Sequence, residues 1–258
     1  MAAAAKISPI PVVQLEDLSL SFGEKVIIQK LFLKLLPDVK LALLGESSCG
    51  KTTILKIIVG LITPDHGTVR LFGEDMATLP TRKKEKLRRR VGMQFQAGAL
   101  FDSLSVRENL SLASAESSRG MGNRAHKASE EEILDILSKV GLENAVNKNP
   151  SSLSGGMRKR AAIARALIVH PQLAIFDEPT AGLDPLTSSS IIHLLNGLYQ
   201  DLHGTMLLCT TDVDVARRFS DDIAIMHEGN ISSRGSYEDH LKSTDPYVKR
   251  FMARSVKL

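Results

Sequence analysis

The sequence predicts an α/β fold, a parallel sheet flanked by helices with a helical segment inserted into it. Three observations predict it. Strand-like and helix-like stretches alternate at both ends of the chain. A short apolar run at 40–44 passes straight into a glycine-bearing turn and then a helical pattern. A helix-rich stretch from 97 to 165 interrupts the alternation.

Taken in order, residues 1–10 are small and proline-punctuated, and predict a disordered amino terminus. Residues 12–22 alternate apolar and polar, as a half-buried strand does, and 31–36 read as a second strand ended by a Pro37-Asp38 turn. The run 40–44 has the near-continuous apolar text of a strand buried on both faces, and 53–60 is helical. Residues 81–90 hold seven basic residues and one acid. Helical periodicity marks 103–113 and 129–140, the latter opened by Ser129 followed by three glutamates. The polar stretch 114–127 between them predicts a mobile link. Strand text returns at 173–176, 205–210 and 223–226, with a helix at 189–202.

Composition narrows the class. At 258 residues with 43% hydrophobic and 24% charged, the chain can bury a full core. A net charge of +4 is too small to argue for nucleic acid. Two cysteines exclude a disulfide scaffold and fit a reducing compartment. The richest apolar stretch, 54–62, is broken by Lys56 and Gly60 and falls short of the ~18 residues a membrane span needs. No secretory signal is visible in Met1-Ala2-Ala3-Ala4-Ala5-Lys6, so a cytosolic chain is expected.

The chemistry is carried by Gly45-Glu46-Ser47-Ser48-Cys49-Gly50-Lys51-Thr52-Thr53, between the buried run and the helix. This is the strand–turn–helix context of a Walker A loop, whose glycines let successive N–H groups point at a polyphosphate. Lys51 is placed to reach the β- and γ-phosphates, and Thr52 to put its hydroxyl on Mg²⁺. Leu173-Ala174-Ile175-Phe176-Asp177-Glu178 supplies the matching acidic end: Asp177 for the metal, Glu178 to orient or deprotonate the attacking water.

Leu153-Ser154-Gly155-Gly156-Met157, 20 residues before Asp177 and opening a helix over 158–169, resembles the signature motif of ABC transporter ATPases. The resemblance implies a P-loop NTPase (RecA-like) ABC cassette with an inserted helical subdomain. It assigns 11–96 and 166–235 to the ATP-binding core, 97–165 to the helical part and 236–258 to a helical tail. It also implies a head-to-tail homodimer holding two ATP molecules, each between one Walker A loop and the partner's Ser154, Gly155 and Gly156. Gln96 matches the glutamine that senses Mg²⁺ and the membrane partner, and Ala181-Gly182-Leu183-Asp184 matches the D-loop. Phe22 stands where the family puts an aromatic that stacks on adenine; a plain core position is the other reading. The segment from Phe95 to Asn109, the methionine closing the signature, and the tail Asp245-Pro246-Tyr247-Val248-Lys249-Arg250-Phe251 resemble a narrower Mla/Mkl-type branch. That branch serves MCE-associated lipid transporters. It implies an integral membrane permease and an MCE-type lipid-binding protein as partners, phospholipid or a related lipid as cargo, and a peripheral place on the inner face of an inner or plastid inner envelope membrane.

Two departures stand out. Thr211, in Thr210-Thr211-Asp212, occupies the place of the family's switch histidine. A threonine donates one hydrogen bond but carries no positive charge, which predicts slowed or partner-dependent hydrolysis. Ser48 stands where such loops usually have glycine, at a cost of about 1 kcal/mol if its φ is positive. Cys49 beside Lys51 reads either as a small filler or as an activated thiol, and Cys209 as a buried strand residue. The basic run reads as a solvated helix face or a lure for anionic headgroups. Ala97, Ala99, Leu100 and Phe101 read as core or as a groove for a permease helix. Beside a transporter ATPase, the open alternatives are an ATP-gated assembly or regulatory subunit and the ATPase of a different ABC importer. Soluble cassettes of translation or repair fit poorly: the former carry two cassettes in one chain, the latter a long coiled coil between the Walker motifs, and the separation of 126 residues from Lys51 to Asp177 holds no heptad run.

Overall fold

The alternation at the amino end forms β1 (Val13–Phe22), which buries Val13, Leu15, Leu18 and Leu20. It lies antiparallel between β2 (Lys25–Leu35) and β4 (His66–Leu71), and β5 (Glu74–Asp75) completes a four-stranded sheet in the order β2-β1-β4-β5. The computed structural model describes residues 9–118, 127–202 and 204–253; of the stretch expected to be disordered, 1–8 lies outside them.

The second sheet has the order β10-β9-β3-β8-β7-β6. Its centre is β3 (Lys40–Gly45), parallel to β8 (Thr205–Thr210) on one side and β9 (Asp222–His227) on the other. Next come β7 (Leu173–Asp177) and β6 (Val91–Gln94), also parallel, while β10 (Asn230–Gly235) runs antiparallel to β9. Parallel strands need helical crossovers, so both faces are covered and the strands are apolar on both sides. Leu41, Leu43, Leu173 and Ile175 face α1 (Lys51–Ile58) and the antiparallel sheet. Ala42, Leu44, Ala174 and Phe176 face the other way. There they meet α3 (Val106–Ser118), α4 (Glu130–Lys139), α5 (Gly155–Leu167), α6 (Pro185–Leu202) and α7 (Val213–Phe219).

Local signals explain most boundaries. Ser129 caps α4 by accepting from the Glu132 N–H while Glu132 accepts from the Ser129 N–H, a reciprocal box at the start signalled by the three glutamates. The basic run forms α2 (Thr81–Arg88), which buries Leu87 alone. The expected strand at 31–36 is the far half of β2. Its near half was hidden by the polar pair Gln29-Lys30, where Lys30 takes a φ of 48°. Residues 114–118 of the expected mobile link are the end of α3, and the Ser114 hydroxyl accepts from the Ala128 N–H at 2.6 Å; 119–126 lie outside the described residues. The tail carries α8 (Tyr237–Leu241) and α9 (Pro246–Ala253), with Val248, Phe251 and Met252 buried. No helix among the described residues is long and apolar enough to cross a membrane.

Ligands of open parallel sheets gather at the carboxyl ends of the strands. Here neighbouring β3, β8 and β7 end at Gly45, Thr210 and Asp177, with Leu44 opposite Thr210 and Asp177 opposite Cys209. Sheet order alone therefore brings the glycine loop, Thr211 and the acidic pair to one edge.

Candidate functional site

The loop from Gly45 to Gly50 turns the chain from β3 into α1. Gly50, with φ 110°, is the N-cap, and a Cβ there would sit 2.8 Å from Met226 Cε and 3.2 Å from Ile27 O. Gly45 is equally constrained, since its Cβ would meet Met226 O at 2.6 Å. Ser48 does take the left-handed conformation, with φ 64°. No side chain caps α1 and no acid occupies its first turn, so its leading N–H groups and the positive end of its dipole are left for an anion. Ser47 and Ser48 are exposed on the loop, while Glu46, Thr52 and Thr53 are half-buried.

Lys51 is buried; its Nζ donates to Gly45 O at 2.8 Å and Glu46 O at 3.0 Å and lies 3.6 Å from Glu178 Oε1. Thr52 Oγ1 donates to Asp177 Oδ1 at 3.1 Å. Burial pushes the Asp177 carboxyl above its usual range against the pull of Thr52 and Lys51, and burial raises Glu178 against the pull of Lys51. Glu178 has φ 47° and donates its N–H to Cys209 O at 3.0 Å. The Asp177 carboxyl and the Thr52 hydroxyl form a pair of hard oxygens that fits Mg²⁺. No cluster of three or more acidic, histidine or cysteine ligands exists among the described residues, so phosphate oxygens and water would complete such a shell.

Thr211 is exposed, and its N–H donates to Glu178 Oε2 at 3.4 Å. Gln96 is also exposed, and its side chain makes no hydrogen bond among the described residues; its carbonyl accepts from Lys159 Nζ at 2.7 Å. Phe22, at the end of β1, is 53% exposed, which removes the core reading and leaves its ring free to stack. Ser154 caps α5 by accepting from the Met157 N–H, and it and Gly155 are exposed. The signature turn packs beside the Asp184 turn: a Cβ on Gly156 would lie 2.8 Å from Thr187 Cγ2, and Asp184 itself accepts from Thr187 N and Oγ1. These bonds from Thr187 hold the Asp184 carboxyl below its usual range.

Burial raises the Cys49 thiol, outweighing Lys51 and the backbone bonds, which favours the filler reading over the activated one. Cys209 is fully buried as expected. Two residues escaped the sequence reading. Gln94 is buried, with Nε2 donating to Asp177 O at 3.4 Å and Oε1 unpartnered among the described residues. Lys159 donates to both Gln96 O and Glu178 O, the latter at 3.1 Å. Burial lowers its pKa while Asp177 and Glu178 raise it. Its only signal was a lysine within Arg158-Lys159-Arg160, which looks like an ordinary helix surface.

Beside β6 lies an open groove of about 360 Å³ lined by Val91, Met93, Phe101, Leu112, Ala166 and Val169, among others. Phe101 is 51% exposed and Ala97 and Ala99 are exposed, while Leu100 is half-buried against the core, so the segment is surface except at Leu100. In the basic run, Arg88 donates to Val59 O and Gly60 O, and Arg90 stacks on Phe72 at 3.7 Å, so both serve the fold.

Residues 28–181 match the family model described as ABC transporter. The chain is 36% identical over 260 residues to the trigalactosyldiacylglycerol 3 protein, chloroplastic, of Arabidopsis thaliana, covering 95% of this chain and 74% of that one. It is 34% identical over 240 residues to the intermembrane phospholipid transport system ATP-binding protein MlaF of Haemophilus influenzae, covering 93% and 89%. Among solved structures, the dimeric ABC transporter cassette MJ0796 superposes with a TM-score of 0.77 at 30% identity over 87% of this chain and 98% of that one. The same cassette is also known as a dimer in a post-hydrolysis state bound to ADP and Pi.

Proposed function

The chain belongs to the ABC transporter family as an ATP-binding subunit, and from that footing we propose that it hydrolyses ATP to energise lipid transport, with phospholipid as cargo, through a separate membrane permease. The observation that carries the proposal is the acidic pair at the end of β7, with Asp177 bonded to Thr52 and Glu178 beside Lys51.

In this reading Gly45 to Thr53 bind the triphosphate through backbone N–H groups, and Lys51 neutralises charge on its outer phosphates. Thr52 and Asp177 hold Mg²⁺, with Gln96 from the neighbouring loop; the metal, when bound, neutralises charge on the β- and γ-phosphates. Glu178 orients the attacking water and accepts its proton. Phe22 stacks on adenine. Ser154, Gly155 and Gly156 of a second copy close each site, with Asp184 beside them, so the working form is a homodimer. Supporting this, the signature turn is exposed at a helix N-terminus, where a further phosphate is favoured.

The core spans 11–96 and 166–235 and the helical part 97–165, and the groove at Phe101 lies where the two meet. An apolar groove beside the Gln96 loop suits an amphipathic permease helix. The cargo assignment rests on the relatives named as phospholipid transport and trigalactosyldiacylglycerol proteins. An MCE-type lipid-binding protein is the expected further partner, on the inner face of an inner or plastid inner envelope membrane. Purifying the chain from native membranes tests this: a permease and an MCE protein in stoichiometric amounts, with ATP-dependent movement of labelled phospholipid by the complex, are expected. Co-purification with the permease of another importer class would overturn the cargo.

Thr211 favours a second reading, an ATP-gated assembly subunit with weak hydrolysis. Its backbone N–H lies at the Glu178 carboxylate, but its side chain has no charge to offer a γ-phosphate.

A further inference from the structure

The inference deepens the proposed hydrolysis and rests on it. Helix α5 touches two places at once. Its first residues, capped by Ser154, form the exposed signature turn. One turn further on, Lys159 points back into the same chain's acidic end. Its ammonium donates to Gln96 O at 2.7 Å and to Glu178 O at 3.1 Å. Gln96 lies in the loop after β6 and Glu178 just beyond β7, so one side chain joins three elements.

The neighbours do not duplicate this. Arg160 donates to Val140 O and Ser190 Oγ, tying α5 to its helical surroundings, and Arg158 is exposed. Lys159 alone of the three consecutive cations turns to the acidic pair, where it is half-buried near Asp177 and Glu178. Glu178 gains most from the contact. Its φ of 47° is one that L-residues rarely hold, so the residue must be fixed from outside. Its N–H is fixed by Cys209 O, and its carbonyl accepts from both Lys159 Nζ at 3.1 Å and the Ala181 N–H at 3.2 Å. These bonds hold the backbone, while the carboxylate itself meets Lys51 Nζ at 3.6 Å and the Thr211 N–H at 3.4 Å.

We propose that Lys159 is a positioning residue that holds the Glu178 backbone and the Gln96 loop in register, and so transmits engagement of the signature turn by a partner's nucleotide to this chain's own hydrolytic centre. Ser154 and Lys159 are five residues apart on one helix, about 7.5 Å along its axis, and a helix segment that short moves as a unit. Loss of the ammonium frees the Gln96 carbonyl, leaves Glu178 O to the Ala181 N–H, and uncouples the two sites.

The test compares the full chain with Lys159→Met, which keeps the stem without the donors, and Lys159→Arg, which restores them. Turnover is measured against ATP concentration, and Glu178→Gln is run alongside. Lys159→Met is expected to lower kcat about tenfold, the scale of one charge-assisted contact, with ATP affinity within about twofold. The Hill coefficient should fall towards one, and Lys159→Arg should recover most of kcat. A kcat unchanged in Lys159→Met overturns the proposal. So does a loss that Arg fails to restore and that is matched by equal losses in ATP affinity and melting temperature. Hydrogen exchange of the amides at 95–98 and 178–180 provides a readout that needs no hydrolysis. Faster exchange of both segments in Lys159→Met is expected, and unchanged exchange overturns the proposal. If the wild-type chain shows no Glu178-dependent turnover, the hydrolytic reading falls, and the exchange data decide the role of Lys159 by themselves.

Discussion

Thr52 Oγ1 donates to Asp177 Oδ1 at 3.1 Å, joining the first turn of α1 to the end of β7 across 125 positions of sequence. The bond is possible because β3 and β7 lie on either side of β8 and end at the same edge. It holds together a hydroxyl and a carboxylate, the pair a Mg²⁺ ion bound to phosphate requires.

That carboxylate is a burden without a cation. Burial raises the Asp177 pKa in the folded chain above its unfolded value, so the folded state binds the proton more tightly. The stability it contributes is present below the unfolded pKa and is lost as pH rises through the folded one. Asp177→Asn therefore replaces the buried carboxyl by a neutral group while keeping an acceptor for Thr52. The nucleotide-free variant is expected to melt higher than the wild type and to lose at least about 100-fold in Mg²⁺-dependent turnover. Differential scanning calorimetry and a turnover assay check both.

Glu178 gives a pH dependence of its own. Burial outweighs Lys51 and raises its carboxyl, and only the ionised form can take a proton from water. The acid limb of kcat is expected above the ordinary carboxylate range, falling as pH drops through the raised value. A limb within the ordinary range would count against Glu178 as the base.

Ser48 holds φ 64° with a side chain on an exposed loop. Ser48→Gly relieves that strain, less the extra freedom it gives the unfolded chain, and should stabilise the protein by up to about 1 kcal/mol. Gly50→Ala should do the opposite and weaken ATP binding, because its Cβ meets Met226 and Ile27. Denaturant titration and nucleotide binding separate the two.

Thr211→His adds an imidazole at an exposed position next to Glu178, so it needs no repacking of the core. Turnover should rise several-fold with ATP affinity little changed. No gain in single-turnover measurements would show that Thr211 does not limit hydrolysis.

Phe22→Ala should cost little stability, since the ring is already half exposed, and should weaken ATP about three- to tenfold through lost stacking. Triphosphate alone should bind both proteins equally.

What the sequence made legible follows from how locally each feature is encoded. Residues 40–53 announce strand, turn and helix within one stretch, and the Ser129 box marks the start of α4 within four residues. The acidic end at Asp177-Glu178 is equally local. The short edge strand β6, with Gly92 in its middle, carries too little pattern to read. The near half of β2 was obscured where the chain bulges at Lys30. Lys159 and Gln94 could not be read because their roles are contacts made across 19 and 83 positions, and neither residue type is informative alone. Cys49 stayed open between two readings: its neighbour Lys51 is visible in sequence, but the burial that outweighs it is not.

The proposed function requires that this chain hydrolyse ATP at Glu178. The most direct measurement is Mg-ATP turnover by the wild-type protein, alone and in the complex purified with it, beside Glu178→Gln. Turnover by the wild type, with Glu178→Gln still binding ATP and dimerising but hydrolysing at least about 100-fold more slowly, is the result predicted. Bound ATP without Glu178-dependent turnover in the intact complex would contradict it and leave a nucleotide-gated subunit in its place.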